Sequence, residues 1–361
     1  MFGGMNYSLR TRLLREALRA KDLDAFVTSH LPNVRYLTGF TGSHALVVAT
    51  RSKFIFLTDF RYEEQVHREV TADEKMFGQG SLVELASKKK VFSSLDSIGF
   101  ERDNLTIAQF EEWKKFTGRK SLKSLRGVVE QLRSVKEEGE IACIKKAVSI
   151  TDTVFKKILG IIKPGVLESD IAAEISYYHR KLGAEKDAFD TIVASGERSA
   201  LPHGRASSRK ISKNDFVTLD FGCIYQGYHS DMTRTVSVGM PTATMKKIYT
   251  IVSDAQQKAL ESIGVNKRAA SIDAVARGYI AEKGYGDYFG HSLGHSVGLE
   301  IHEQLRLAAT SNETLRHRNV VTVEPGIYLP NKFGVRIEDI VVVRNGGCEN
   351  LTTSPKDLIV L

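Results

Sequence analysis

The chain has 361 residues, 42% hydrophobic and 26% charged, with a formal net charge of +8; that length suggests two domains with cores of ordinary size, and the composition is that of a globular protein. No apolar run approaches the roughly 20 residues of a membrane span, the N-terminal MFGGMNYSLRTRLLREALRA lacks the apolar core of a secretory signal, and Cys143, Cys223 and Cys348 lie too far apart for a CxxC metal site or a disulfide framework. The charge is diffuse, 22 basic against 16 acidic residues in 1–135 and 29 against 27 in the remainder, so neither nucleic acid nor a membrane is an expected partner, and unpaired cysteines fit a reducing cytoplasm.

In chain order, Ser8–Ala20 reads as a helix with Leu9, Leu13, Ala17 and Ala20 on one face. DAFVTS, HALVVAT and KFIFLTD read as strands separated by Gly-rich and polar turns, which predicts an α/β domain with a mixed sheet. The run Lys88–Lys89–Lys90 is expected on a solvated face. Around SLRGVVEQLRSVKEEGEIACIKKAVSITDTVFKKIL the character changes to one long charged, then amphipathic, helix. The domain boundary is placed near Val129–Ser134, giving residues 1–130 and 131–361. Beyond Pro164 come further helical stretches and then the strand-like DFVTLDFG and TRTVSVG. Thr244 to Lys283 is helical in pattern, and NVVTVEPGIYL and GVRIEDIVVV are strand-like. Strands and helices run in blocks, which favours α+β for this second part.

Two acid pairs interrupt these apolar strands. Asp220 and Asp231 are centred between Tyr225 and Gln226, just before Gly227. A tight hairpin with that centre would set the two carboxylates directly opposite one another, an arrangement that is unfavourable unless a cation lies between them. Glu324 and Glu338 repeat the figure about Asn331, inside the turn-forming PNKFG. Arg336 shares the face of Glu338 by period-two alternation and is placed to orient carboxylates or substrate.

GHSLGHSVGLEIHE, residues 290–303, holds His291, His295 and His302. His291 and His295 stand four apart, as in helical zinc sites, but position 292 is Ser rather than Glu, and Gly290, Gly294 and Gly298 disfavour a helix. The stretch reads instead as a Gly-rich loop entering a strand GLEIHE. One imidazole with four carboxylates would balance two divalent cations, and so oxygen-rich a set suits Mn²⁺, Mg²⁺ or Co²⁺ better than a structural zinc. These patterns reach a dinuclear hydrolase; they single out neither the ligand histidine nor the substrate. His229, between Tyr228 and Ser230, carries no motif and is expected at the surface.

The order PHG (Pro202–Gly204), LDFG…SDMTRT, GHSVGLEIHE, EPGIY and VRIED resembles the proline-specific metallopeptidases of the pita-bread fold, the aminopeptidase P, prolidase and creatinase group. YLTGFTGS, LTDFRYEEQ and LRSVKEEGEIACIKKAVSITD extend the resemblance over nearly the whole chain. It implies a C-terminal pita-bread domain preceded by a smaller creatinase-like α/β domain. It implies Asp220, Asp231, His295, Glu324 and Glu338 as ligands of two divalent ions, manganese by preference with cobalt or zinc as alternatives, and Asp231 and Glu338 as the bridging pair. His203, His291 and His302 match the group's catalytic histidines, Glu324 its proton acceptor, and Arg336 stands behind the ligands. Ser292 and Ser296 occupy positions where glycine is frequent, and Gln304–Leu305 follow where a proline is usual. The implied activity is that of a Xaa-Pro aminopeptidase acting on peptides with proline second, with Xaa-Pro dipeptidase (prolidase) as the alternative. Methionine aminopeptidase and a non-enzymatic pita-bread binding protein are remoter readings. The group also implies a homodimer.

Overall fold

The β-branched and aromatic runs of the first third become strands of one sheet. In the computed structural model, which describes residues 4–118 and 120–361, they are β1 (Ala25–Thr28), β2 (Leu46–Thr50) and β3 (Phe54–Asp59). They are joined by β4 (Glu74–Gly78), β5 (Ser97–Glu101) and β6 (Ser121–Leu125) in the order β4-β3-β2-β1-β5-β6. The sheet is mixed: β2 runs antiparallel to β1 and β3, whereas β1/β5, β3/β4 and β5/β6 are parallel. Helices α1 (Tyr7–Ala20), α2 (Leu31–Thr38), α3 (Glu63–Glu69), α4 (Leu82–Lys88), α5 (Ile107–Thr117) and α6 (Val128–Ser134) intervene.

The chain divides into two compact units, one ending at Arg133 and the other running from Ser134 to Leu361. Residues 1–3, at the head of the stretch read as lacking a leader, lie outside the described residues. Among the described residues no helix is long and apolar enough to cross a membrane. The run Lys88–Lys90 is exposed as expected.

Two sequence expectations fail here for identifiable reasons. The buried stripe of α1 is Arg10, Leu14 and Leu18 rather than Leu9, Leu13, Ala17 and Ala20. Arg10 is buried because its guanidinium donates to the Tyr36 carbonyl at 2.7 Å and lies 4.1 Å from the centroid of that ring, an arrangement that apolar periodicity does not register. The long helix around residue 135 is two helices, α6 and α7 (Glu138–Leu159). α7 restarts with a reciprocal capping box between Glu137 and Glu140, which satisfies its first amides.

In the second unit, α7 and α8 (Glu168–Lys181) cover one sheet face and α9 (Ala243–Ser262) with α10 (Ala269–Glu282) cover another. Pro241 and the Thr242 side chain, which accepts the Met245 amide, fix the start of α9. The strands are β7 (Lys186–Asp187), β8 (Ile192–Ser195), β9 (Phe216–Phe221), β10 (Cys223–Tyr225), β11 (Tyr228–His229) and β12 (Met232–Ser237). They continue with β13 (Gly294–Ser296), β14 (Glu303–Leu307), β15 (Val320–Val323), β16 (Gly326–Leu329), β17 (Phe333–Arg336), β18 (Asp339–Arg344) and β19 (Gly347–Asn350). The main sheets are β12-β9-β8 and β14-β13-β15-β18-β19. Ile150, Val154 and Ile171 pack against Val217 and Leu219 of β9, while Val252, Ala255 and Ile272 pack against Val321 and Val341. Helices and strands in separate blocks make this unit α+β, as the pattern predicted.

Candidate metal centre and active-site pocket

Two hairpins deliver the four acids. β9 and β12 pair with Asp220 opposite Thr233, and the turn residues are Gln226 and Gly227, both at positive φ (49° and 81°). The turn is thus centred one residue later than equal spacing about the two aspartates predicts, so Asp231 is not directly opposite Asp220. It sits two residues before Thr233, a diagonal neighbour on the same face. The second hairpin keeps the predicted centre: Val323 pairs with Asp339 and Gly326 with Arg336, one register throughout, with Asn331 in the turn at φ 58°. Glu324 and Glu338 therefore stand opposite one another where the ladder breaks. Their amides turn to other strands, Glu324 N–H donating to the Leu293 carbonyl at 2.8 Å and Glu338 N–H to the Thr233 carbonyl at 3.0 Å.

The histidine stretch is a loop, as expected, but only Gly294–Ser296 forms a strand before it. GLEIHE is an irregular turn, with β14 beginning at Glu303. Gly294 lets β13 approach: a Cβ there would lie 2.0 Å from the Thr322 carbonyl. His229 is buried, not at the surface, with its N–H donating to the Gly298 carbonyl at 2.9 Å.

All nine predicted site residues line one cavity of about 610 Å³, together with Phe189, Asp190, Ile192, Ile301 and Arg306. Asp231, His295 and Glu338 are buried, and one donor atom from each lies within 4.8 Å of the others. His295 Nδ1 lies 3.3 Å from the Ser296 carbonyl, its natural acceptor, which turns Nε2 toward Asp231 Oδ2 (3.5 Å) and Glu324 Oε1 (3.3 Å). Arg336 donates to Asp220 Oδ2 at 2.6 Å, Tyr328 Oη at 2.7 Å and Thr233 Oγ1 at 3.0 Å. The other oxygen of Asp220, Oδ1, is buried without a hydrogen-bond partner. Thr233 donates to Glu338 Oε2 at 2.7 Å, and Thr322 to Glu324 Oε1 at 3.2 Å. His203 and His302 are exposed at the cavity wall, and His291 is half-buried.

Electrostatics describe a site with too much negative charge for its burial. Burial, then the Asp231 charge against the pull of Arg336, raises the Asp220 carboxyl to about 6. Burial and Asp231 raise Glu324 to about 7, opposed by His295. Burial and the three other acids hold Glu338 well above the carboxylate range. Burial works against a charged His295, but Asp231 and Glu324 outweigh it and lift the imidazole to about 8. Burial and the Arg336 charge depress His291 to about 4, so it is neutral near pH 7. An orphaned carboxylate oxygen, a Nε2 facing two acids and acids raising one another's pKa are what a divalent cation set would resolve, and the residues present fit one.

Tyr328, Thr233 and Thr322 were missed by sequence reasoning. Tyr328 is recoverable by alternation, since it shares the face of Glu324 two pairs along β16. It accepts from Arg336, and its hydroxyl lies 2.9 Å from His291 Nε2. The threonines carry no sequence signal of their own.

Comparison with known proteins accords with this geometry. Residues 142–345 match metallopeptidase family M24 and residues 10–135 match the creatinase/prolidase N-terminal domain. This chain therefore belongs to metallopeptidase family M24. It is 42% identical over 98% of its length to all of an uncharacterized peptidase of Bacillus subtilis (strain 168). It is 38% identical to a Xaa-Pro dipeptidase of Pyrococcus horikoshii, covering 97% of this chain and 98% of that one. Among solved structures, a Xaa-Pro dipeptidase from Bacillus anthracis superposes with a TM-score of 0.95 at 42% identity, over 99% of this chain and 100% of that one. An X-Pro aminopeptidase from Thermotoga maritima superposes at 0.90 and 38% identity, over 96% and 100%.

Proposed function

We propose that this protein is a Xaa-Pro dipeptidase that hydrolyses the bond between an N-terminal residue and a C-terminal proline. The expectation of a Xaa-Pro aminopeptidase gives way to its alternative. Near-full-length likeness to dipeptidases from B. anthracis and P. horikoshii supports the dipeptidase reading. Arg306 at the cavity wall, a cation able to take the free carboxylate of a terminal proline, supports it from within the chain. The T. maritima likeness favours the aminopeptidase as the second reading. The creatinase/prolidase N-terminal domain argues against a methionine aminopeptidase, and the intact set of acids against a non-enzymatic role.

The observation that carries the metal assignment is the partnerless Asp220 Oδ1 beside the buried Asp231 and Glu338 and the half-buried Glu324. Asp220, Asp231, His295, Glu324 and Glu338 would hold two divalent ions, with manganese preferred because four of the five donors are carboxylates. When bound, the ions supply Lewis acidity and lower the pKa of a water to near neutrality. Glu324 accepts the proton of the attacking water and returns it to the departing proline nitrogen. His302 donates a hydrogen bond to the carbonyl oxygen as charge develops there. His291, neutral and fixed by Tyr328, and His203 orient the peptide. Arg336 aims Asp220 and is not consumed.

The machinery is assigned to residues 131–361. The cytoplasm is the proposed compartment because all three cysteines are free. A homodimer is proposed from the family resemblance, with sedimentation equilibrium as its check. The deciding experiment loads the protein with Mn²⁺ and compares a Xaa-Pro dipeptide with a Xaa-Pro-Yaa tripeptide. Cleavage of the dipeptide alone is expected. Cleavage of the tripeptide makes it an aminopeptidase, and failure on both with metal bound overturns the substrate assignment.

A further inference from the structure

Lys136 lies in the break between α6 and α7 and is almost wholly buried, with its side chain 1% exposed. A buried ammonium is unfavourable unless its protons find acceptors. The acceptors here are Glu303 Oε2 at 2.9 Å and Ser296 Oγ at 3.0 Å. Each stands one residue after a cavity histidine: Ser296 follows His295, and Glu303 follows His302. Lys136 thus ties together the two backbone segments that carry these imidazoles, whose rings meet edge to face with centroids 4.3 Å apart.

The turn between them is built around the same carboxylate. Glu303 Oε1 accepts the Leu299 amide at 3.1 Å. A Cβ at Gly298 would stand 2.5 Å from that oxygen, so the carboxylate occupies the space of a side chain. From the other side, the His229 N–H donates to the Gly298 carbonyl, and its ring Nδ1 lies 3.0 Å from the same oxygen. The irregular turn that presents His302 has no ladder of its own; a carboxylate, an ammonium and an imidazole hold its shape.

We propose that Lys136 is a positioning residue for the hydrolysis: through Glu303 and Ser296 it sets where His302 stands relative to His295 and the substrate carbonyl. This rests on the reading of His302 as the hydrogen-bond donor to that carbonyl. Lys136 touches neither substrate nor metal ligand side chain, so its loss acts on turnover rather than on binding.

The test is a double-mutant cycle on the full, Mn²⁺-loaded chain with Lys136→Met, His302→Ala and both together, measuring kcat, KM and bound metal by atomic absorption. Lys136→Met is expected to lower kcat by about ten- to a hundredfold, the scale of a misplacement near 1 Å, with KM and metal content unchanged. The double variant is expected to be no slower than His302→Ala, because both changes act through one group. Unchanged kcat in Lys136→Met, or multiplication of the two effects, overturns the proposal. If His302→Ala turns over at the parent rate while Lys136→Met is slow, the reading of His302 falls and the proposed route falls with it. Should Lys136→Met fail to fold, Gly298→Ala displaces the Glu303 carboxylate without altering the Lys136 or His302 side chains themselves; the same kcat loss is expected, and a parental kcat overturns the inference.

Discussion

The Arg336 guanidinium donates to a carboxylate, a phenol, a threonine hydroxyl and the Pro202 carbonyl, and the residue is 3% exposed. Removing it leaves Asp220 with two unsatisfied oxygens in place of one. Breaking a buried pair from one side costs about 3–5 kcal/mol, and loss of a group that orients a ligand lowers metal affinity about ten- to a hundredfold. Arg336→Met is therefore expected to unfold at lower urea and to need more Mn²⁺ for half-maximal activity; calorimetric titration with Mn²⁺ reads the second effect directly. The acids make a second prediction at this scale. Asp220 and Glu324 are raised to about 6 and 7 in the metal-free chain by burial and by the Asp231 charge. The folded state thus holds protons that the unfolded state has released above about pH 4–5. Stability from these groups is present below that range and is lost as pH rises through 6 and 7. His295, raised to about 8, works in the same direction. In chelator, the melting temperature should fall between pH 5 and pH 8; a rise across that window would contradict the buried-acid account.

Register is where element-level reading succeeded and failed. The spacing of Glu324 and Glu338 locates the turn at Asn331 because that left-handed residue, between Pro330 and Lys332, centres the short loop joining Leu329 to Phe333. Asp220 and Asp231 are not placed symmetrically about their turn: Gln226 and Gly227 form it, so Asp220 pairs with Thr233. Both positive-φ residues there define a two-residue turn of the kind that favours Asn before Gly. Gln226→Asn should stabilise the chain by up to about 1 kcal/mol, read from the midpoint of urea unfolding. The lost contact from the Cys143 thiol to Gln226 Oε1 is the opposing effect. Helix periodicity likewise missed the break at 135–137 and the Arg10 stripe of α1, since capping boxes and buried guanidiniums depend on partners distant in sequence. The four acids, Arg336 and the histidine cluster stand out by spacing and His203 only by resemblance to the family, and all nine candidates line one cavity. Thr233, Thr322 and Lys136 carry no such signal, because a supporting hydrogen bond can be supplied by many residue types.

Across the whole chain, the division into a mixed-sheet unit and an α+β unit followed from the order of the elements alone. The diffuse charge was likewise readable: its surplus lies on solvated faces such as Lys88–Lys90 rather than around the cavity. Substrate length was not readable, since it depends on the cavity wall formed by residues as far apart as Phe189 and Arg306. Because the unfolded chain cannot present the proposed donors together, a metal ion held by them would stabilise the folded state in proportion to the logarithm of its excess. Melting temperature should rise with added Mn²⁺ by several degrees, and replacing Asp231 or Glu338 with Ala should abolish both that rise and turnover.

The broken ladder at Glu324 and Glu338 has a consequence for how the enzyme comes into being. At the two positions where the hairpin stops bonding to itself, its amides bond to β12 and to the strand entry at Leu293. Thr233 and Glu338 are 105 residues apart, and the loop-closure entropy of so distant a contact leads us to expect it late in folding. Pulse-labelling with deuterium should find these two amides protected after those of the flanking strands. On that order a newly made chain that has formed its hairpins but not yet docked them would lack the assembled donors, so metal uptake and turnover are expected only after this last closure.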